Sequence, residues 1–409
     1  MPTTTSLLPP AAATPSCSRT RTRSWPAAMA EAARAGATPP HRGLPDEIFI
    51  WEILVRLPPK SLLRCRAVCR GWRSATYTRG FLLAHHARQP TLPILYCYKL
   101  SDDEDEAECL DIIPFDHRAG LPAAEQIQSA ARLAQASHLF LEASCDGLLV
   151  VSGGSAQFAI CNPVTRQYAP LPLLSDKPFL AMYPYPPTGE YRLLTYPCRK
   201  STLTSQVDCY VFALGSSQPP RNIGWVGVGE LNFNATSLLF RGSLYWYLWQ
   251  HESESNKIIV FDTTTESFRL LCGAVVPGCH ELFEMDGMLG MSIFNMEGTV
   301  IDIWVLQQDY EREVWTFKCQ IEMPVMEIRA QCGSHEDFWN VLVVPRDGEL
   351  FVLLRFAGWL LQVDMNGKLV ASLHRKGVGP TRLQLKQTLV PHAFFPTLEG
   401  YVVNDFPFI

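Results

Sequence analysis

One pattern constrains this chain more than any other: a turn of the form x-Gly opening a short apolar strand, with a second strand ending some 15 to 20 residues later at Asn or Asp. It is seen at Cys145-Asp146-Gly147 before Leu148–Val151, with Asn162 closing the next strand. It returns at Arg241-Gly242 before Leu244-Tyr245-Trp246, closing at Asp262, and at Asp286-Gly287 before Ile301-Asp302-Ile303-Trp304. Asp347-Gly348 then precedes Leu350–Leu353 and Leu360–Asp364. A period of about 45–60 residues with several strands per unit is the signature of a propeller, whose blades bury both faces only against one another. The wide gap after Gly147 holds a further strand pair near Tyr191–Tyr196 and Val207–Leu214, and another pair lies around residues 92–116. These make six blades, with seven as the alternative count. Strands near Lys386–Pro391 and Tyr401–Phe406 are expected to close the ring on the first blade.

The segment before the repeat differs. Pro45 stands where a helix can begin without losing a hydrogen bond, and Asp46 and Glu47 suit its positive end. Ile48, Trp51, Leu54 and Leu57 recur at three-residue steps on one face. Pro58-Pro59 ends that helix and starts another through Leu62, Leu63 and Arg66. Val68, Trp72 and Ala75 mark a third, followed by Phe81, Leu82 and Leu83. Three or four short helices in about 45 residues are marginal alone and need a partner surface. The fold class is therefore α+β multidomain: a disordered Pro/Ala/Ser/Arg-rich head over 1–40, a helical module over 41–90 and an all-β propeller over 91–409.

Residues 44–74, LPDEIFIWEILVRLPPKSLLRCRAVCRGWRS, resemble the F-box. The likeness lies in Leu44-Pro45, Ile53-Leu54, Leu57-Pro58, Lys60-Ser61-Leu62, Val68-Cys69 and Trp72, with Phe81 at the family's closing aromatic. The remainder resembles the F-box-associated, kelch-like domain of the large plant F-box family. Ser144–Leu149 with Asn162–Arg166, Gly242–Trp246 with Val260–Asp262, and Ile301–Leu306 carry that likeness in order, while the stretch 171–235 departs most from it. The resemblance implies a substrate-recognition subunit of a Skp–cullin–F-box ubiquitin ligase. Its direct partner would be a Skp-type adaptor, with cullin and RING subunits reached indirectly and an unknown protein as target. Carried over by position, the adaptor contacts are Leu44, Pro45, Ile48, Leu54, Leu57, Pro58, Leu62, Leu63, Val68 and Trp72. Some of these must form the module's own core, and Val68 and Trp72 are expected to divide between the two jobs. The alternatives are an F-box scaffold that does not drive degradation, and an organellar or enzymatic propeller.

Other features point away from chemistry. The chain carries no P-loop, G-x-S-x-G elbow or H-E-x-x-H motif, and no cofactor or metal is expected. The formal net charge of −5 gives no electrostatic reason for nucleic acid as a partner. No apolar run is long enough to span a membrane. Thirteen scattered cysteines without a C-x-x-C pair fit a reducing compartment, so cytoplasm or nucleus is expected. Cys65 and Cys69 are read as core packing on one helical face, and His85-His86 as surface positions. Trp246, Trp249, Trp304, Trp315, Trp339 and Trp359 are read as packing between blades. The acid-poor head also suits a transit peptide, which a start at Met29 would remove. The acidic run 101–108 is read as a solvated loop. Target residues are not assignable; the candidate loops lie near 101–109, 173–189, 215–235, 251–256 and 331–338.

Overall fold

The computed structural model describes residues 44–99, 108–116, 127–135, 139–153, 157–174, 179–196, 208–224, 236–248, 257–274, 276, 278–295, 299–309, 312–333, 339–346 and 348–409. Helices occupy the first of these segments as far as Arg88, and β1 begins at Thr91. Six antiparallel sheets follow, so the ring has six blades.

Blade one holds β1 (Thr91–Lys99), β2 (Glu108–Pro114) and β3 (Ala131–Gln135). Blade two holds β4 (Leu139–Cys145), β5 (Leu148–Gly153), β6 (Gln157–Asn162) and β7 (Gln167–Pro170). Blade three is β8 (Phe179–Tyr185), β9 (Glu190–Thr195), β10 (Cys209–Ala213) and β11 (Arg221–Gly224). Blade four is β12 (Leu238–Phe240), β13 (Ser243–Leu248), β14 (Lys257–Asp262) and β15 (Ser267–Cys272). Blade five is β16 (Cys279–Met285), β17 (Met288–Phe294), β18 (Val300–Asp309) and β19 (Arg312–Glu322). Blade six is β20 (Asn340–Arg346), β21 (Glu349–Phe356), β22 (Trp359–Asp364) and β23 (Leu369–His374). Two late strands, β24 (Val378–Lys386) and β25 (Val402–Val403), return to blades one and two.

The two-residue period of a strand explains the ring. In β5, Leu149 and Val151 enter the core shared with blade one, while Leu148 and Val150 enter the core shared with blade three. In β13, Leu244 and Trp246 pack toward blade three, Tyr245 and Tyr247 toward blade five. The remaining cores join blade five to six and blade six to one. No face is left bare, which is why these strands are apolar on both sides. Trp246 is buried, and Trp304, Trp315, Trp339 and Trp359 pack at the edges of these cores. Trp249 lies outside the described residues.

The repeat seen in the sequence is two kinds of turn. At Asp146-Gly147, Arg241-Gly242 and Asp286-Gly287 both residues have positive φ, the conformation that suits two-residue hairpins between twisted strands. Gly147 has a second reason: a Cβ there would stand 2.5 Å from the Lys386 carbonyl oxygen. The Asn or Asp ending the third strand caps the next turn. Asn162 Oδ1 accepts from the amides of Val164 and Thr165, and Asp262 Oδ1 from those of Thr264 and Thr265. Asp364 Oδ1 does the same for Asn366 and Lys368.

Ring closure differs from the sequence expectation. The closing strand is β24, ending rather than beginning at Lys386; it pairs with β1 and packs between β4 and β20 as the innermost strand of its blade. Val402–Val403 joins blade two, against Gln167–Tyr168, not blade one. The last residues do then reach blade one: Ala134 N donates to Pro407 O, Ile409 N to Arg132 O, and the Phe408 ring is buried in the core between the two blades. Stretches read as loops also hold structure: β8 lies within 173–189, β11 within 215–235 and β2 begins within 101–109. A helix, Val325–Cys332, runs into 331–338 and buries Ile328 between blades five and six. The head 1–40, the acidic residues 101–107 and the segments 251–256 and 334–338 lie outside the described residues.

Phe408→Ala removes a buried ring from the seam between blades one and two. It should cost about 3–5 kcal/mol of stability, measured as a lower denaturation midpoint of the full chain.

Candidate functional site

The helical module is built on a small core of Leu54, Val55, Leu62, Phe81 and Leu82. Its helices are Asp46–Ile48, continuing through a wide π turn at Phe49–Ile53 and a tight turn at Leu54–Arg56, then Pro59–Cys65, Arg70–Thr76 and Arg79–Arg88. The π turn shifts the helical phase. Ile48 and Trp51 therefore keep exposed surface, Trp51 with one side of its ring against Phe81 at 5.7 Å, while Leu54 is buried, although their spacing places them on one face of a regular helix. Thr78 Oγ1 accepts from the Phe81 amide to start the last helix.

Two readings of single residues are corrected. Cys65 closes one helix, whereas Cys69 precedes the next and its Sγ accepts from the Trp72 amide, so the two do not share a helical face. His85 is fully buried rather than on the surface, and its Nε2 donates to the Leu57 carbonyl at 2.9 Å. That carbonyl ends the first helix and also accepts from Gln89 Nε2. Burial lowers the His85 pKa, disfavouring the charged imidazole.

The ten expected adaptor contacts fall into three groups. Leu44, Pro45, Ile48, Pro58, Leu63 and Val68 are exposed, Val68 at 65% of its surface. Leu57 and Trp72 are half-buried against the core, the Trp72 ring stacked on Phe49 at 5.9 Å. Leu54 and Leu62 are 2% and 0% exposed, so they build the module from within and are not contact surface. Trp51 and Ile53 are exposed apolar side chains missing from the expected set. The helical phase change that turns them outward is not visible in residue spacing.

The opposite side of the module is anchored on the propeller. Leu389 joins the helical core, and Val164 and Val390 pack against it. His86 lies 3.9 Å from Asp146 through Nε2 and 3.4 Å from the Gln387 carbonyl through Nδ1. Tyr191 OH donates to Asp146 Oδ2 at 3.1 Å, and the Tyr191 ring meets His392 edge-on. His86, and then Tyr191, hold the Asp146 carboxyl below its ordinary range. Asp146 belongs to the first turn of blade two and Val164 to its third. In an antiparallel four-stranded blade these turns share one end, while the second turn and the crossing to the next blade share the other. The helices thus occupy one end of the ring. The strands β1, β7, β11, β13 and β19 end, and β8, β12 and β20 begin, at the end that the helices do not cover.

Along the ring axis a cavity of about 480 Å³ lies between β4, β12, β16, β20 and β24. Leu239, Glu281, Leu342, Arg382 and Lys386 are among its walls. Arg382 Nε donates to Glu281 Oε1 at 2.7 Å, linking blade one to blade five past blade six. Burial raises the Glu281 pKa, an effect that Arg382 opposes.

Residues 117–363 match the F-box associated beta propeller domain family, and residues 42–88 match the F-box-like family. An F-box protein of Arabidopsis thaliana is 25% identical over 350 residues, covering 76% of this chain and 79% of its own length. A second Arabidopsis F-box protein is 24% identical over 303 residues, covering 66% of this chain and 71% of its own. A putative F-box/kelch-repeat protein of the same plant is 22% identical over 291 residues, covering 68% and 76%.

The interface carries a pH dependence. Burial lowers the His392 pKa to about 4, against an ordinary 6.5. Between those values the unfolded chain binds the proton that the folded chain refuses, so stability is intact above about pH 6.5 and falls as pH drops toward 4. The loss reaches about 1–3 kcal/mol for this one group. Denaturation of the full chain at pH 7 and pH 5 should show it, and His392→Phe, which cannot charge, should reduce the difference.

Proposed function

The chain belongs to the F-box associated beta propeller domain family, and from that membership we propose that it is the substrate-recognition subunit of a Skp–cullin–F-box ubiquitin ligase. The observation that carries this reading is the two-sidedness of the helical module. One side is locked onto the propeller through Leu389, Val390 and Val164. The other leaves Leu44, Ile48, Trp51, Ile53, Leu63 and Val68 exposed within a few short helices. Apolar side chains concentrated on so small a module mark an interface awaiting a partner.

In this reading a Skp-type adaptor covers Leu44, Pro45, Ile48, Pro58, Leu63 and Val68, with the half-buried Leu57 and Trp72 lending their outer edges. The adaptor joins the chain to a cullin with its RING subunit and a ubiquitin-conjugating enzyme, which performs the chemistry. The chain itself contributes binding alone. The propeller holds a target protein by the end that the helices leave open, where loops vary without altering the blades. The setting is the cytoplasm or the nucleus.

The test is capture of a Skp-type adaptor by the full chain. Leu63→Asp and Val68→Asp place an uncompensated charge in the interface and should weaken binding about 100-fold or more, since such burial costs several kcal/mol. Both positions are exposed, so the melting temperature should hardly change. Leu62→Asp is not a valid probe, because that side chain is core. Unaltered capture by both variants would remove this face from the adaptor contact. Ubiquitin transfer to a co-purified partner in a reconstituted ligase then distinguishes a substrate subunit from a scaffold.

A further inference from the structure

We infer that the axial cavity is a carboxylate-binding site, in which Arg382 receives the carboxylate of a ligand with an apolar portion that packs on the leucines of the wall. The inference deepens the reading of the propeller as the target-binding platform and rests on it.

Arg382 stands on β24 with 46% of its side chain exposed. Its ion pair with Glu281 uses Nε alone, and among the described residues its two Nη groups have no partner. A guanidinium presents a planar fork of N–H donors matched to the two oxygens of a carboxylate. Half of that fork is therefore open beside a cavity. Glu281 is itself a carboxylate held by this arginine, which shows that the geometry accepts one.

The surroundings narrow the class of ligand. Glu281 is mostly buried, with 17% of its side chain exposed, and its charge sits beside the site. A dianion such as phosphate would meet that charge with one arginine to offset it, while a monoanion would not carry the excess. Lys386, the other cation on the cavity wall, shares that wall with the Asp146 carboxylate, whose charge it favours. The remaining wall is mixed: Leu239, which is 37% exposed, Leu342 and Leu383 offer apolar surface, and Thr236, His280 and Gln384 stand among them. A volume of about 480 Å³ is in the range of small-ligand sites. The same chemistry is offered by a free aliphatic acid and by the C-terminal carboxylate of a polypeptide with apolar side chains.

The experiment measures binding to the purified full chain. The probes are a fluorescent six-residue peptide ending in two leucines, as the free acid and as the C-terminal amide, and octanoate followed by ligand-observed NMR. A peptide acid binding about tenfold or more tightly than its amide would support a chain-terminus site, since a charge-assisted fork is lost in the amide. Binding of octanoate without the peptide would support a free-acid site. In either case Arg382→Gln should abolish binding. Glu281→Gln, which frees the fork and removes a like charge, should tighten it about threefold or more. Tighter binding is not an outcome that misfolding can produce. The inference is overturned if neither acid binds, if acid and amide bind alike, or if binding is indifferent to both substitutions. Such a failure leaves adaptor capture by the helical face untouched.

Discussion

The antiparallel pairing of Val378–Lys386 with Thr91–Cys97 is the contact on which the rest of the molecule depends. A propeller blade has two apolar faces, and each is covered only by its neighbours. Until β24 enters blade one, the cores toward blades two and six lack Leu383, Leu385 and Val378. The pairing joins the two ends of the propeller, so its loop entropy is met before most of the burial rewards it. The tail that follows adds a second clasp on the outer rim, through Val402–Val403 on blade two and Phe408 on blade one.

The same seam positions the helical module. The chain leaves the last helix at Arg88 and enters β1 three residues later, directly beside the closing strand. On leaving β24 it runs through Gln387–Val390, whose carbonyl and apolar groups meet His86 and the helical core. Closure and docking therefore share one stretch of backbone. Charged groups reinforce the ring elsewhere. Glu266, buried in a turn of blade four, accepts from Tyr183 and Arg192 of blade three at 2.7 and 2.6 Å and pairs with Arg221. With every charge there opposed by another, this is a link between blades.

What was legible in the sequence was whatever a single turn or strand dictates. Positive φ at Gly147, Gly242 and Gly287 restricts the residue choice, so the hairpins stood out. Asn162, Asp262 and Asp364 stood out because their side chains cap the backbone that follows. The period of about 45–60 residues, with several strands per unit, gave the propeller, and the count of units gave six blades. Long-range partners were not legible. Nothing near Val378 announces that it pairs with residues almost 300 positions earlier, and Val402–Val403 carries no sign of blade two. The inner strand β8 contains Pro184 and reads locally as loop. At the helical face the residue types were legible but their burial was not: past one π turn Leu54 is buried while Ile48 stays exposed, and His85 is buried with its Nε2 on a carbonyl of another helix.

In the proposed function one end of this chain docks an adaptor through its helices while the far end of the ring stays free for a target. Hydrogen–deuterium exchange of the full chain, alone and with a Skp-type adaptor, tests it most directly. New protection is expected within residues 44–76, with unchanged exchange in the second turns and blade crossings of the propeller. Protection confined to those propeller segments, or none in the helices at saturating adaptor, would contradict it.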